Sequence, residues 1–440
     1  MKKRRTTLIT FCLWGMVNLV SLSTYAQNQE FRLTLDEAQK MAIDNNLSHK
    51  NAQLDVVIAQ KKVWEITATG LPQVNSKVDF NMILNELPKL TFPGPTGPVE
   101  VEVGEKANAT LSVTASQLIF SGPYIVGLQA SKAYKNLSEN ALVKNEEDIK
   151  YNVASAYYTI LLLSETKNII DSSVINLQRV YSDSEAMLKT GFIDETAKDQ
   201  IKVSLSMVKN SASEIARQFQ SAQNLLNFHL GIDVQTQIQL SDNLESFTND
   251  LAPALNSVNN IDQQNNIDLR IMANQVELSE LQLKLQKSNY LPTLSAFASF
   301  QRLAKQPVIN FTPEALAGAS FSLPIFSSGM RRSKVQQAKL ELNKATNSLN
   351  LVKQSIELEL NNAQTQYLTA WEKYQSQKEN KELAQRVYQN YRVRYSKGVA
   401  SQQEVIDSND KYLQAVGNYI GATVELLSAK LKVDKITGKL

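Results

Sequence analysis

Cysteine is all but missing from this 440-residue chain, and the single one is Cys12. It lies in an amino-terminal segment built like a secretory signal: Lys2-Lys3-Arg4-Arg5, an apolar run from Leu8 to Val20, and the small-residue cleavage site Thr24-Tyr25-Ala26. Removing residues 1–26 as a signal peptide leaves a mature chain that starts at Gln27 and has no cysteine, which excludes disulfides and thiolate chemistry. Cys12 stands in mid-run, away from the cleavage site, so a lipoprotein signal is not expected. Histidine is scarce too. His49 and His229 are far apart, each in a helical stretch where a packed or solvated position is expected before a ligand or a base. The chain has no H-E-x-x-H, no G-x-S-x-G, no nucleotide-binding G-x-x-x-x-G-K-[ST] loop and no carboxylate pair in an apolar setting. Neither an enzyme nor a cofactor or metal site is expected.

Positive charge is also lacking once the signal is removed. The signal holds four of the 46 Lys+Arg and none of the 43 Asp+Glu, which puts the mature chain one charge below neutral. No large basic patch remains for nucleic acid. Beyond the signal, no segment reaches the roughly 18–20 apolar residues that a membrane helix requires. An exported chain without such a helix is either soluble or a β-barrel.

What the chain does have is one plan used twice. Asn46 to Pro72 reads as a helix ending at Leu71-Pro72, and Asn266 to Pro292 repeats it, ending at Leu291-Pro292. Ile119-Phe120-Ser121-Gly122 returns as Ile325-Phe326-Ser327-Ser328-Gly329, and Lys189-Thr190-Gly191 as Ser396-Lys397-Gly398. The expected organisation is a first structural repeat over 27–240 and a second over 241–440, intertwined in one protomer.

Four segments alternate with period two, which predicts strands over 73–82, 107–115, 293–301 and 315–323. In the first, Val74, Val78, Phe80 and Met82 share a face opposite Gln73, Asn75, Lys77, Asp79 and Asn81. In the third, Phe297 breaks the pattern, and the sides of that strand stay unassigned. Each segment has the length of a tilted strand that crosses a bilayer, which makes Val74, Val78, Phe80 and Met82 candidates to face lipid. Four strands cannot close a barrel around a lumen, so a membrane-spanning version must pool strands from several chains; a homotrimer would supply twelve. The loop of the first strand pair carries Pro88, Pro93, Gly94, Pro95, Gly97 and Pro98, and that of the second carries Pro307 and Pro313. Both loops are expected at the same outer end, with Phe92 and Phe120 as candidates for a membrane aromatic belt.

Long helices fill most of the rest. From Ser328 to Tyr395 there is no proline, and Val335, Ala338, Leu342, Ala345, Leu349, Val352 and Ile356 keep heptad spacing before the seam shifts one residue to Leu360, Ala363, Tyr367, Ala370 and Tyr374, a stutter. A second seam runs from Ile201 through Leu205, Val208, Ala212, Ile215, Phe219 and Ala222 to Leu226, with Gly231 as its expected C-cap. The two longest helices predict a rod about 100 Å long at 1.5 Å per residue. Trp64 and Trp371 fall in helices and are expected to pack there. Gly417 and Gly421 leave two readings open, a close helix approach or an exposed face that tolerates glycine. The stretch 231–262, with Pro253, reads as a belt or linker. Arg331, Arg332 and Lys334 follow the fourth strand and open a helix, where positive charge opposes the macrodipole; inner-leaflet headgroup phosphates would offset that cost.

The duplicated strand pairs after Leu71-Pro72 and Leu291-Pro292, the Ile325 to Gly329 turn with Arg331-Arg332, Asn227-Phe228-His229-Leu230-Gly231, and Tyr395-Ser396-Lys397-Gly398-Val399-Ala400 leading into Glu404-Val405-Ile406-Asp407 together resemble the TolC family of outer-membrane efflux and secretion channels. The resemblance covers essentially the whole mature chain. It implies a mainly α fold with a small β part: a homotrimer in which long antiparallel coiled-coil helices form a periplasmic α-barrel and four strands per chain join a twelve-stranded β-barrel in the outer membrane. It also implies a passive exit duct, with a periplasmic adaptor and an inner-membrane pump as partners. In the family, acids six and nine residues beyond the last turn glycine ring the periplasmic aperture. Counted from Gly398 these are Glu404 and Asp407, whereas Gly191 of the first copy gives Ala197 and Gln200. Like charges crowded in such a ring are expected to repel, bind cations and raise carboxyl pKa values. Tyr395 takes the position of a contact that holds the aperture shut, and Ala400 stands where the family can carry an arginine. The competing expectation is a periplasmic coiled-coil adaptor or structural rod that never enters the membrane.

Overall fold

The computed structural model describes residues 31–95, 97–248, 251, 266–306, 310 and 312–440; the signal segment, Pro253 and Pro307 lie outside the described residues. After a short strand β1 (Phe31–Leu33) and helix α1 (Leu35–Asn45), the first repeat consists of α2 (Leu47–Thr69), β2 (Gln73–Met82), β3 (Lys89–Gly94), β4 (Gly97–Glu102), β5 (Ala107–Ser121), α3 (Gly122–Lys189) and α4 (Glu195–Leu230). A short strand β6 (Ile238–Leu240) and helix α5 (Leu244–Thr248) precede the second repeat, which is α6 (Ile267–Ser288), β7 (Thr293–Leu303), β8 (Ala315–Ser322), α7 (Met330–Ser396) and α8 (Gln402–Ile436). The matched helices are nearly equal in length: 23 and 22 residues, 68 and 67, 36 and 35.

Each long helix pairs with two shorter ones stacked end to end, α2 and α4 along α3, α6 and α8 along α7. One asparagine makes the splice in each repeat. Asn46 caps α2 by accepting from the Ser48 N–H at 2.8 Å, and its amide donates to the carbonyl of His229 in the last turn of α4 at 3.0 Å. Asn266 caps α6 through the Leu269 N–H at 3.1 Å and donates to the carbonyl of Ile436, the last residue of α8, at 3.0 Å. A side chain with both a donor and an acceptor satisfies orphan groups of two helix ends at once, which lets a broken helix run alongside an unbroken one. Gly231 ends α4 at φ 69°, as its spacing predicts, and an added Cβ would lie 2.8 Å from the backbone of Asn45, so the first splice also requires glycine for close approach.

The heptad seams form the core of the rod. Ile201, Leu205, Val208, Ala222 and Leu226 of α4 are buried, as are Ala338, Ile356, Leu360, Ala363, Ala370 and Tyr374 of α7. Across the stutter, Ile356 and Leu360 both stay buried, clustered with Leu269 of α6 and Ile436 of α8. Trp371 stacks on Tyr374 with ring centroids 5.9 Å apart, whereas Trp64 is exposed, contrary to the expectation of packing within the chain. No atom comes within 4 Å of a Cβ built at Gly417 or Gly421, which removes the close-approach reading within the chain.

The stretch 231–262, read as a belt or linker, supplies β6 and Asp242, which join β1 and α1 against α3. β1 and β6 pair in parallel, and the Tyr157 hydroxyl of α3 lies 2.9 Å from the Leu33 carbonyl and 2.8 Å from the Asp242 carboxylate, which also caps α1 through the Leu35 N–H. Burial raises the Tyr157 hydroxyl well above the ordinary tyrosine value, so it serves as a hydrogen-bonding strut.

The four main strands form one antiparallel sheet in the order β2-β5-β7-β8. β2 has its expected bounds. β5 continues six residues beyond the expected 115 because it leads directly into α3, with Ser121 as the N-cap, and β7 runs on to Leu303. The Pro/Gly-rich loop of the first pair is not irregular: β3 and β4 zip from Lys89↔Glu102 to Gly94↔Gly97 as a separate hairpin. Pro93 faces Pro98 in that ladder, and proline signals had pointed to a loop there.

Candidate functional site

Directly opposed residues of an antiparallel ladder lie on the same face, so the register assigns every strand. Val74 pairs with Ala115 and Ala115 with Ala298, which pairs with Ala317; Val78 pairs with Leu111, Phe80 with Ala109 and Met82 with Ala107. An irregularity between Leu118 and Phe120 skips one residue and returns Phe120 to the same face, against Leu294. Leu294, Ala296, Ala298 and Phe300 therefore share the side of Val74, Val78, Phe80 and Met82. Phe297, which breaks the alternation, lies on the opposite side, where its ring covers Gly318 at 3.1 Å from a built Cβ. That opposite side carries Gln73, Asn75, Ser112, Thr114, Ser295 and Ser299, and a Lys77–Asp79 ion pair at 2.7 Å. Val74, Val78, Phe80 and Met82 are each 60–69% exposed within the chain. Edge strands β2 and β8 have no further neighbour among the described residues.

At the lower edge of the sheet two strand-to-helix junctions occupy matching positions. In the first, the Tyr124 hydroxyl donates to the Thr67 carbonyl at 3.2 Å, and its ring occupies the space where a Cβ on Gly70 would lie. In the second, Arg331 stacks over the Tyr290 ring at 4.8 Å and donates to the Ser327 hydroxyl and the Pro324 carbonyl at 3.0 and 2.6 Å. Arg331 is buried with its guanidinium engaged by its own turn, whereas Arg332 and Lys334 are exposed.

At the other end, the α3–α4 and α7–α8 turns hold each other. The Tyr395 hydroxyl lies 3.8 Å from the Met187 sulfur, and the Gln402 amide donates to the Ala197 carbonyl at 2.7 Å. Tyr395 joins a cluster with Val180, Ile201, Tyr388, Val405 and Ile406, and burial raises its hydroxyl pKa. Glu404 does not stand free. Its carboxylate closes a capping box, accepting from the Ser401 N–H and hydroxyl at 2.7 and 2.9 Å. The Ser401 backbone bond pulls its pKa below the usual carboxylate value, the reverse of the shift expected from a crowded ring. Asp407 accepts from the Gln403 amide at 2.7 Å. Asp410, one turn further along and overlooked in the sequence, is raised by burial, against a bond from Asn409 that lowers it, with Asp407 adding to the rise. The i, i+3, i+6 spacing of the three acids was the available signal.

Residues 260–439 match the family model described as outer membrane efflux protein. No curated protein matches the chain by sequence. Three solved structures have the same fold. The CmeC outer membrane channel of Campylobacter jejuni is 16% identical, with 92% of this chain and 85% of that one covered and a TM-score of 0.72. CusC, a transmembrane channel, is 16% identical over 95% of both chains, with a TM-score of 0.74. The outer membrane protein VceC of Vibrio cholerae is 14% identical over 92% and 96%, with a TM-score of 0.71. Over its second repeat the chain is thus similar to the outer membrane efflux proteins, and through both repeats it has the fold of the channel structures it matches.

Proposed function

We propose that three copies of this chain form a passive outer-membrane duct, each lending four strands to a closed barrel and its helices to a periplasmic tunnel. The observation that carries this reading is the sheet itself. One face is apolar and exposed, both edges are open, and the strand directions alternate so that β8 of one copy can add to β2 of the next in the same antiparallel sense. In water such a sheet would aggregate; in a bilayer its open edges must be paired. The stripes left bare on the helices support the same assembly: Leu47, Leu54 and Trp64 on α2, and Leu340, Leu351 and Leu358 on α7. The sequence has no G-x-x-x-x-G-K-[ST] nucleotide-binding loop, and on this reading an inner-membrane pump supplies the energy through a periplasmic adaptor that docks on the helices. Glu404 and Asp407 line the periplasmic aperture, and Tyr395 helps hold it closed.

The test is extraction and assembly. The protein is expected in the outer-membrane fraction, released only by detergent and running as a trimer on unheated gels. Release by osmotic shock as a monomer would overturn the proposal.

A further inference from the structure

The apolar face of the sheet carries one charge among the described residues, Arg302. Its Cα partner is Leu111, itself paired with Val78, and two residues before it Phe300 lies on the same face. The other charges of the four strands, Lys77 and Asp79, are on the opposite face and neutralise each other. Arg302 is exposed, and its side chain makes no hydrogen bond or ion pair with another described residue. A lone arginine on a bilayer-facing strand is costly at the midplane and nearly free at the interface, so its depth decides what it does.

That depth follows from the strand. β7 begins at Thr293, beside the end of α6, and Arg302 is the tenth of its 11 residues. At about 3.3 Å per residue and a tilt near 40°, this lifts Arg302 about 23 Å above the lower edge, against an apolar band about 25 Å tall. The guanidinium therefore stands on the lipid side at the outer headgroup level. Its five donors match a phosphate oxygen pair, and partial desolvation strengthens the bond. We infer that Arg302 is a binding point for a phosphate-bearing headgroup of the outer leaflet, one per protomer. This inference rests on the proposed barrel and on the assignment of its outer face.

The experiment uses the purified full-length trimer in neutral detergent, with lipopolysaccharide as the probe. Lipopolysaccharide is expected to raise the melting temperature of the wild type, while inorganic phosphate at equal phosphorus and a zwitterionic phospholipid leave it unchanged. Arg302→Gln should lose the rise and Arg302→Lys keep part of it. Equal rises in wild type and Arg302→Gln overturn the inference, and a rise with inorganic phosphate alone would make the site one for free anions. Single-channel conductance is recorded on the same samples: if both proteins insert and conduct alike, the barrel stands whatever becomes of Arg302. A changed ion selectivity in Arg302→Gln would place the arginine in the lumen and sink the inference.

Discussion

The two repeats solve the same geometric problems at matching positions with different chemistry. At the helix splice both use one asparagine, but the surroundings diverge. Beside Asn46 the long helix α3 is tied by a neutral bond from Asn145 to Ser48, whereas the Asn266 splice is tied to α7 by the Lys432–Glu359 ion pair at 3.5 Å and to α3 of the other repeat by ion pairs of Lys144 with Asp268 and Lys435 with Asp148. At the strand-to-helix junction, Tyr124 over Gly70 becomes Arg331 over Tyr290, so the aromatic ring changes sides while the contact persists. At the tip, the Asp194 carboxylate caps α4, and a Ser401–Glu404 box caps α8. Duplication thus preserves where a contact is needed and leaves the residue types free. The asymmetric features follow from that freedom: the extra hairpin belongs to the first repeat, and the acids Glu404, Asp407 and Asp410 to the second.

The largest effect is expected in the sheet, where the repeats share one face. Val78→Arg places a charge on the apolar side near mid-strand and should cost about 2–4 kcal/mol, while Asn75→Arg, on the polar side, should cost little. Phe300→Arg tests the matching strand of the second repeat and should also be tolerated poorly. Unfolding of trimers from liposomes by denaturant measures all three. Equal tolerance at Val78 and Asn75 would break the assignment of faces for both repeats together.

This sheet also shows how far the sequence could be read. Period-two alternation places β2 to the residue and gives its apolar face, because within the strand Val74, Val78, Phe80 and Met82 are flanked only by polar residues. It could not assign β7, where Phe297 breaks the pattern, because the reason lies across the ladder in Gly318. The heptad seams and the Gly231 cap were legible since each depends on local spacing. The Tyr157–Asp242 strut, the Arg331–Tyr290 stack and the Gln402–Ala197 bridge were not, since each joins residues far apart in sequence. Glu404 was found by its distance from Gly398. That distance says nothing of its bond to Ser401, although Ser-x-x-Glu is itself a capping-box signature.

The splices should rank next. Asn266 is buried and closes its splice among charges, whereas Asn46 is half-buried. Asn266→Ala removes an N-cap and leaves the Ile436 carbonyl without its partner, for a loss of about 2 kcal/mol; Asn46→Ala should lose about 1 kcal/mol. Urea midpoints of the detergent-solubilised trimer test the ranking, and a larger loss at Asn46 would show that the belt, not the ion pairs, governs the rod.

A smaller effect is expected at the junction. Arg331→Leu should cost about 1 kcal/mol through the lost stack and hydrogen bonds, whether or not lipid is present. Arg332→Gln combined with Lys334→Gln should leave stability in detergent unchanged and lower the yield of membrane-inserted trimer. If the double variant inserts normally, the exposed pair has no headgroup role.

The smallest change in stability is expected at the tip, and there Glu404 must be separated into its two roles. Its pKa is lowered in the folded chain by the Ser401 bonds. The stabilisation this represents is present above the unfolded carboxyl value of about 4.3 and is lost as pH falls through the folded value. The α8 cap should therefore loosen only in acid, below about pH 4. Glutamine at the same position can still close a capping box, so Glu404→Gln keeps the cap and removes the charge, while Glu404→Ala removes both. With divalent cations added from the periplasmic side of a planar bilayer, the wild type should be blocked. Glu404→Gln with Asp407→Asn should be blocked only at higher cation concentration, and its amide exchange at the start of α8 should match the wild type. Glu404→Ala with Asp407→Ala should lose block and also exchange faster there. If the amide pair is blocked at the wild-type concentration, the acids of the second repeat serve the helix end alone, and the two tips differ in capping chemistry without differing in function.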